Sequence, residues 1–175
     1  MSIYAPIAAA VKAGTLFPFP ASKLGFPQLR HVALAPKVND LLFAGTWDED
    51  WNTRRVHLQL ELEWFVDGRD ISVALPNEND PYEDKPDANF RLLYKWHDEV
   101  WEIRSKMQPQ IRIFGSFATP DYFVALLWEF RCKLGDPPWK ECATCKEVWN
   151  RLFPNHPPFT GKTIHDYITE NAFPC

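Results

Sequence analysis

Two arginines in the stretch WEIRSKMQPQIRIFGSF, residues 101–117, are the side chains best placed to do chemistry. Arg104 and Arg112 each stand alone among apolar neighbours, in two short segments joined by a turn. A guanidinium is always charged and presents a planar fork that clamps phosphate or carboxylate with two hydrogen bonds. Mounted on a strand, such a fork is held firmly enough to stabilise developing negative charge. The same residues admit a plainer reading. Position parity puts Glu102 and Arg104 on one face of their strand and Trp101 and Ile103 on the other, so the arginines would bridge to Glu102 or Asp121 on the wet face of a half-buried sheet.

Other motifs carry less. CATC, Cys142 to Cys145, has no second ligand pair at zinc spacing, since His165 lies too far beyond His156. It also falls inside a helical pattern, where cysteine packs as a small hydrophobe. Metal or thiol-redox chemistry is therefore the third choice, and no metal or cofactor is expected. TGKT, residues 160–163, lacks the earlier glycine and preceding strand of a phosphate loop. The five histidines form no HxH or HExxH pattern, and no serine sits in a GxSxG elbow.

The elements that must position the arginines follow from periodicity. VHLQLELEWFV, residues 56–66, alternates apolar and polar side chains and predicts a strand. DGRD then reads as a turn and ISVALP as the partner strand of a hairpin. Residues 76–87 form an acidic, proline-rich loop without EF-hand spacing. Residues 87–99 place Phe90, Leu93, Tyr94 and His97 on one helical face. Three strands follow at 100–106, 110–118 and 122–131, the last also readable as a helix. Residues 135–153 predict a helix opening near Asp136, and 163–171 a short final one. Residues 1–40 are proline-punctuated, with one candidate strand at HVALA.

Charge is uneven along a chain whose total is −4. Residues 1–39 carry four basic side chains and no acid, whereas 40–88 carry thirteen acids against four bases. The acidic total argues against a general nucleic-acid binder. Such asymmetry predicts that the N-terminal arm docks on the acidic segment, with Trp47 and Trp51 as packing anchors. No apolar run approaches the roughly 20 residues that span a bilayer. The N-terminus lacks the basic start of a signal peptide, so a cytoplasmic protein with reduced thiols is expected.

The run of strands with WEIR, IRIFG and FVALLWEFRCK resembles the core of the RelE/ParE toxin superfamily, most closely its phage-type HigB-like branch. The matching positions are Glu102 and Arg104, then Arg112, then Phe130, Arg131 and Lys133, within residues 87–135. The resemblance implies a bacterial or phage protein of a toxin–antitoxin pair, acting on mRNA at the ribosome and held by an antitoxin-like partner. It implies that Arg104, Arg112, Arg131 and Lys133 grip RNA and stabilise the charge of the 2′-OH attack. In that family the first strand leads into a helical hairpin, whereas the periodicity here predicts a β-hairpin at that point.

These readings add up to one α+β domain over 1–175. Its core is a central, mainly antiparallel sheet of about five strands over 56–135, with helices packed on one side. An irregular arm (1–40) and C-terminal helices (136–175) would wrap it. The function expected first is RNA-directed and toxin-like. A non-catalytic interaction protein on the same scaffold is the alternative, and whether any catalysis occurs is left open.

Overall fold

The computed structural model describes residues 2–21, 25–44, 49–76, 85, 87–93, 99–135 and 138–175. Along the chain these form α1 (Tyr4–Lys12), β1 (Phe17–Pro18), β2 (His31–Leu34), α2 (Pro36–Phe43), α3 (Glu49–Val66), β3 (Ile71–Ala74), β4 (Phe90–Leu93), β5 (Val100–Arg104), β6 (Ile111–Thr119) and β7 (Tyr122–Phe130). A 3-10 turn (Arg131–Lys133), α4 (Trp139–Leu152), α5 (Ile164–Tyr167) and β8 (Ala172–Pro174) complete them.

The fold is α+β, built on one mixed sheet in the order β1-β2-β7-β6-β5-β4-β3-β8. Its centre, β4 to β7, is antiparallel as expected. The flanks are not: β2 runs parallel to β7, and β3 runs parallel to both β4 and β8. Three of the additional strands come from the arm and from the C-terminal segment expected to be helical. The candidate strand HVALA is β2, which pairs with β7, but the rest of the arm is not irregular, because β1 pairs with β2 and α1 and α2 pack on the sheet.

Helices cover both faces, not one. Leu58, Leu62, Phe65 and Val66 of α3, with Val38, Leu41 and Leu42 of α2, pack on Phe90, Leu92, Trp101, Ile103, Ile113 and Phe117. On the opposite face Ile7 and Ala10 of α1, with Cys142, Cys145 and Trp149 of α4, pack on Leu93, Val100, Phe114, Val124 and Leu127. At about 1.5–3 kcal/mol for each fully buried large side chain, these two layers dominate the stability of the fold. Gly115 sits at a bulge between β6 and β7, where a Cβ would lie 2.1 Å from the Val124 carbonyl oxygen. Only glycine fits there.

Two predicted elements are corrected. Residues 56–66 belong to helix α3, so no hairpin links them to β3. The helix ends where the turn was expected: Gly68, at φ +73, donates to Phe65 O and Arg69 N donates to Trp64 O, the Schellman arrangement of a helix stop. Residues 90–93 form strand β4 in register with β5, because pairing with Val100–Ile103 outweighs the local helical spacing. Tyr94 and His97, most of the acidic loop, Trp47 and Asp136 lie outside the described residues.

Candidate functional site

Cross-strand pairing brings the charged residues of the middle strands together. Arg91 stands opposite Glu102 across β4 and β5, and Arg104 stands opposite Arg112 across β5 and β6. Glu102 is the hub. Its Oε1 accepts from Arg104 Nε at 2.5 Å and lies 3.9 Å from Arg91 Nη1, while its Oε2 is 3.7 Å from Arg112 Nε. The remaining donors also turn inward. Arg104 Nη1 donates to the Lys85 carbonyl at 2.9 Å. Arg112 Nη1 donates to the Ser105 carbonyl at 3.2 Å, and Nη2 donates to Gln110 Oε1 at 2.9 Å.

Arg104 and Arg112 are only 7% and 6% exposed, and Glu102 4%. The wet-face bridge expected as the plainer reading is thus partly right: Glu102 is the partner, but the face is covered. Asp121 instead approaches the buried Arg30, at 3.9 Å. With their forks committed to internal acceptors, Arg104 ties β5 to the Lys85 carbonyl ahead of β4, and Arg112 ties β6 to the β5–β6 turn.

Arg131 and Lys133 reach the same end of the sheet by another route. The 3-10 turn follows β7 directly, and Arg131 N donates to the Gln110 carbonyl. Lys133 is exposed, lies over the Phe130 ring and is 3.9 Å from Glu129 Oε1. The four residues therefore share one sheet end, two inside and two at the surface.

Glu61 of α3 belongs to this neighbourhood too, and periodicity did not single it out. Burial pushes its carboxyl up to about 7, opposed by the Lys106 N–H and by the charges of Lys106 and Arg112. Its Oε2 has no hydrogen-bond partner among the described residues.

A second polar contact lies under α5. Tyr167 donates to Glu99 Oε2 at 2.5 Å and approaches the Gly161 carbonyl at 3.1 Å. Burial, reinforced by Glu99, raises the phenol well above its ordinary range. Tyr167 therefore stays protonated and serves as a buried strut. Glu99 adopts a left-handed φ of 55 and immediately precedes β5.

Arg30 was also missed. Its fork donates to the carbonyls of Phe65, Arg69 and Glu170, tying the end of α3 to the segment before β8. Nothing in an isolated QLRHV could have revealed partners so distant in sequence.

Among the described residues no group of three His, Cys, Asp or Glu side chains gathers as a metal would need. Cys142 and Cys145 face inward from α4, and burial raises the Cys145 thiol well above its usual range. No helix of the described residues is long and apolar enough to cross a membrane.

A different feature offers room for a ligand. Where α4 and α1 flank the junction of β2 and α2, two adjoining cavities of about 390 and 680 Å³ share Ala35, Pro36, Val148 and Arg151. The wall along α1 is small and apolar, with Pro6, Ala9 and Ala13. The far end is polar: Lys37 and Lys140 stand there with Glu129 and Glu141. Lys37 lies over Trp128, whose indole N–H donates to the Lys37 carbonyl.

Comparison with protein families, with curated proteins and with solved structures finds no match to this chain.

Proposed function

We propose that this chain is a non-catalytic interaction protein whose cleft between α1, the β2–α2 junction and α4 receives an acidic amphipathic segment of a partner protein. The observation that carries this reading is the cleft itself, an apolar trough bordered by Lys37, Lys140 and Arg151 against Glu129 and Glu141. On a chain of net charge −4, a locally cationic border favours an acidic guest. A helix laid with its apolar face in the trough would set its carboxylates against those cations. The inward commitment of Arg104 and Arg112 supports the same choice, since a fork bonded to Glu102 and carbonyls is not offered to a phosphate.

The test uses a labelled helical peptide of about 15 residues, leucine on one face and glutamate on the other, titrated by fluorescence anisotropy. Binding should weaken at least tenfold in Arg151→Glu and fall as salt rises. No binding, or binding indifferent to Arg151→Glu, overturns the reading.

One observation favours the RNA-directed alternative. Strand β2 leads into the consecutive helices α2 and α3, joined by a Gln59 Nε2 bond to the Leu42 carbonyl at 2.6 Å. That succession is what the resemblance to RelE/ParE toxins implied. If this reading holds, expression slows growth and cleaves translated mRNA, and the surface pair Arg131→Ala with Lys133→Ala relieves both. Intact mRNA and normal growth on expression count against it.

A further inference from the structure

Helix α3 is apolar on two faces, and among the described residues only one of them packs into the core. Its inner face buries Leu58, Leu62, Phe65 and Val66. Its outer face presents Val56, Leu60 and Trp64, each 40–48% exposed, at i, i+4 and i+8. That spacing makes one stripe roughly 12 Å long on the surface of a helix. The stripe does not stand alone. Arg69 lies over both the Trp64 and Phe26 rings, at 5.7 and 5.3 Å, and extends it past the helix end to exposed Phe26. On its flank a cavity of about 240 Å³ is lined by Phe19, Phe43, Gln59 and Glu63, with Phe43 itself exposed.

Apolar surface of this continuity marks an interface, because soluble monomers rarely leave it open. We infer that the outer face of α3 pairs with the same face of a second copy of this chain, antiparallel, about a two-fold axis near Leu60.

The argument for a second copy is self-complementarity, the condition that a two-fold interface must meet. With Leu60 at the axis, Val56 of one copy faces Trp64 of the other, a small side chain against a large one. Exposed Asp50 lies at the N-terminal end of the stripe, and exposed Arg69, held over Trp64 and followed by exposed Asp70, lies beyond the C-terminal end. Antiparallel pairing brings Asp50 of each copy against Arg69 of the other, twice over. The helix dipoles also lie antiparallel across the contact, each positive end beside the partner's negative end, which favours that direction. Phe26 and Phe43 widen the patch toward the roughly 800 Å² per partner that a stable pair buries. Parallel pairing would instead set like charges together at both ends.

The test is the mass of the full chain by sedimentation velocity between about 1 and 100 µM, a range that covers ordinary dimer affinities. The wild type should show twice the 20.4 kDa of one chain. Leu60→Glu should give the single-chain mass with an unchanged circular dichroism spectrum and melting temperature, since Leu60 takes no part in the core. Arg69→Glu should weaken the pair at least tenfold, and Arg69→Glu with Asp50→Lys should restore it. A wild-type chain of single mass throughout the range overturns the inference. So does a dimer that survives Leu60→Glu, or a charge swap that restores nothing.

Discussion

Arg104 and Arg112 face each other across β5 and β6, and the one carboxylate of Glu102 reaches both, at 2.5 and 3.7 Å. Two cations held opposite one another under cover repel unless an anion stands between them. Removing that anion leaves buried charge uncompensated, at a cost of about 3–5 kcal/mol. Glu102→Gln should therefore lower the urea midpoint sharply. Adding Arg104→Met to that variant should recover part of the loss, because it removes one orphaned cation. Unchanged stability in Glu102→Gln would mean that the arginines do not depend on internal compensation.

Glu61 predicts a pH dependence. Its folded carboxyl titrates near 7 against an ordinary 4.5, raised by burial. Below about 4.5 both folded and unfolded chains hold the proton, and this contribution to stability is present in full. As pH rises toward 7 the unfolded chain gives up its proton first, so the contribution is lost, and above 7 nothing more changes. Glu61→Gln should be close to neutral at pH 4.5 and stabilising by about 3 kcal/mol at pH 8, given 1.4 kcal/mol for each pH unit between 4.5 and about 7. Equal stabilisation at both values would show that the side chain is not protonated in the fold.

The four thiols should divide evenly. Cys132 and Cys175 are exposed, whereas Cys142 and Cys145 are buried beneath α4. A native-state titration with a disulfide reagent should consume two thiols quickly and the other two only on unfolding. Four fast thiols would show that α4 leaves the sheet readily.

Removing residues 1–16 takes away α1 and uncovers part of the core formed with Phe114, Val124 and Leu127. The melting temperature should fall by several degrees, since roughly 1 kcal/mol corresponds to 2–4 °C at this size. An unchanged value would mean that α1 adds no net stability. Removing β2 as well should abolish cooperative unfolding, because it leaves the edge of β7 open.

How far the sequence could be read depends on the two-faced packing. The strands at 100–106, 110–118 and 122–131, with α4 behind them, were legible because each is long and locally consistent. The misread stretch, 56–66, is a helix whose outer Val56, Leu60 and Trp64 interleave with inner Leu58 and Leu62. Two apolar stripes on one helix produce the alternation of a strand. DGRD then compounded the error, because Asp-Gly serves equally as a hairpin turn and as a helix stop. Residues 90–93 erred in the opposite sense. Phe90 and Leu93 look like one helical face, yet they point to opposite sides of the sheet, and both sides are dry. Of the site, Glu102 and Arg104 were legible through parity. Arg30, Glu61 and the α1–α4 cleft were not, because their partners lie on distant elements.

The parallel pairing of β2 with β7 has a consequence for the order of events during synthesis. His31 leaves the ribosome long before Tyr122, its register partner. At roughly 5–20 residues per second, several seconds pass in which β2 has only the short β1 beside it and its other edge stays open. The local meander β5–β6–β7 needs no such delay and can close as it emerges, so it is the natural nucleus onto which the earlier segment docks. Until then the N-terminal third carries its apolar side chains uncovered, and that interval is when a chaperone or a neighbouring nascent chain would find them.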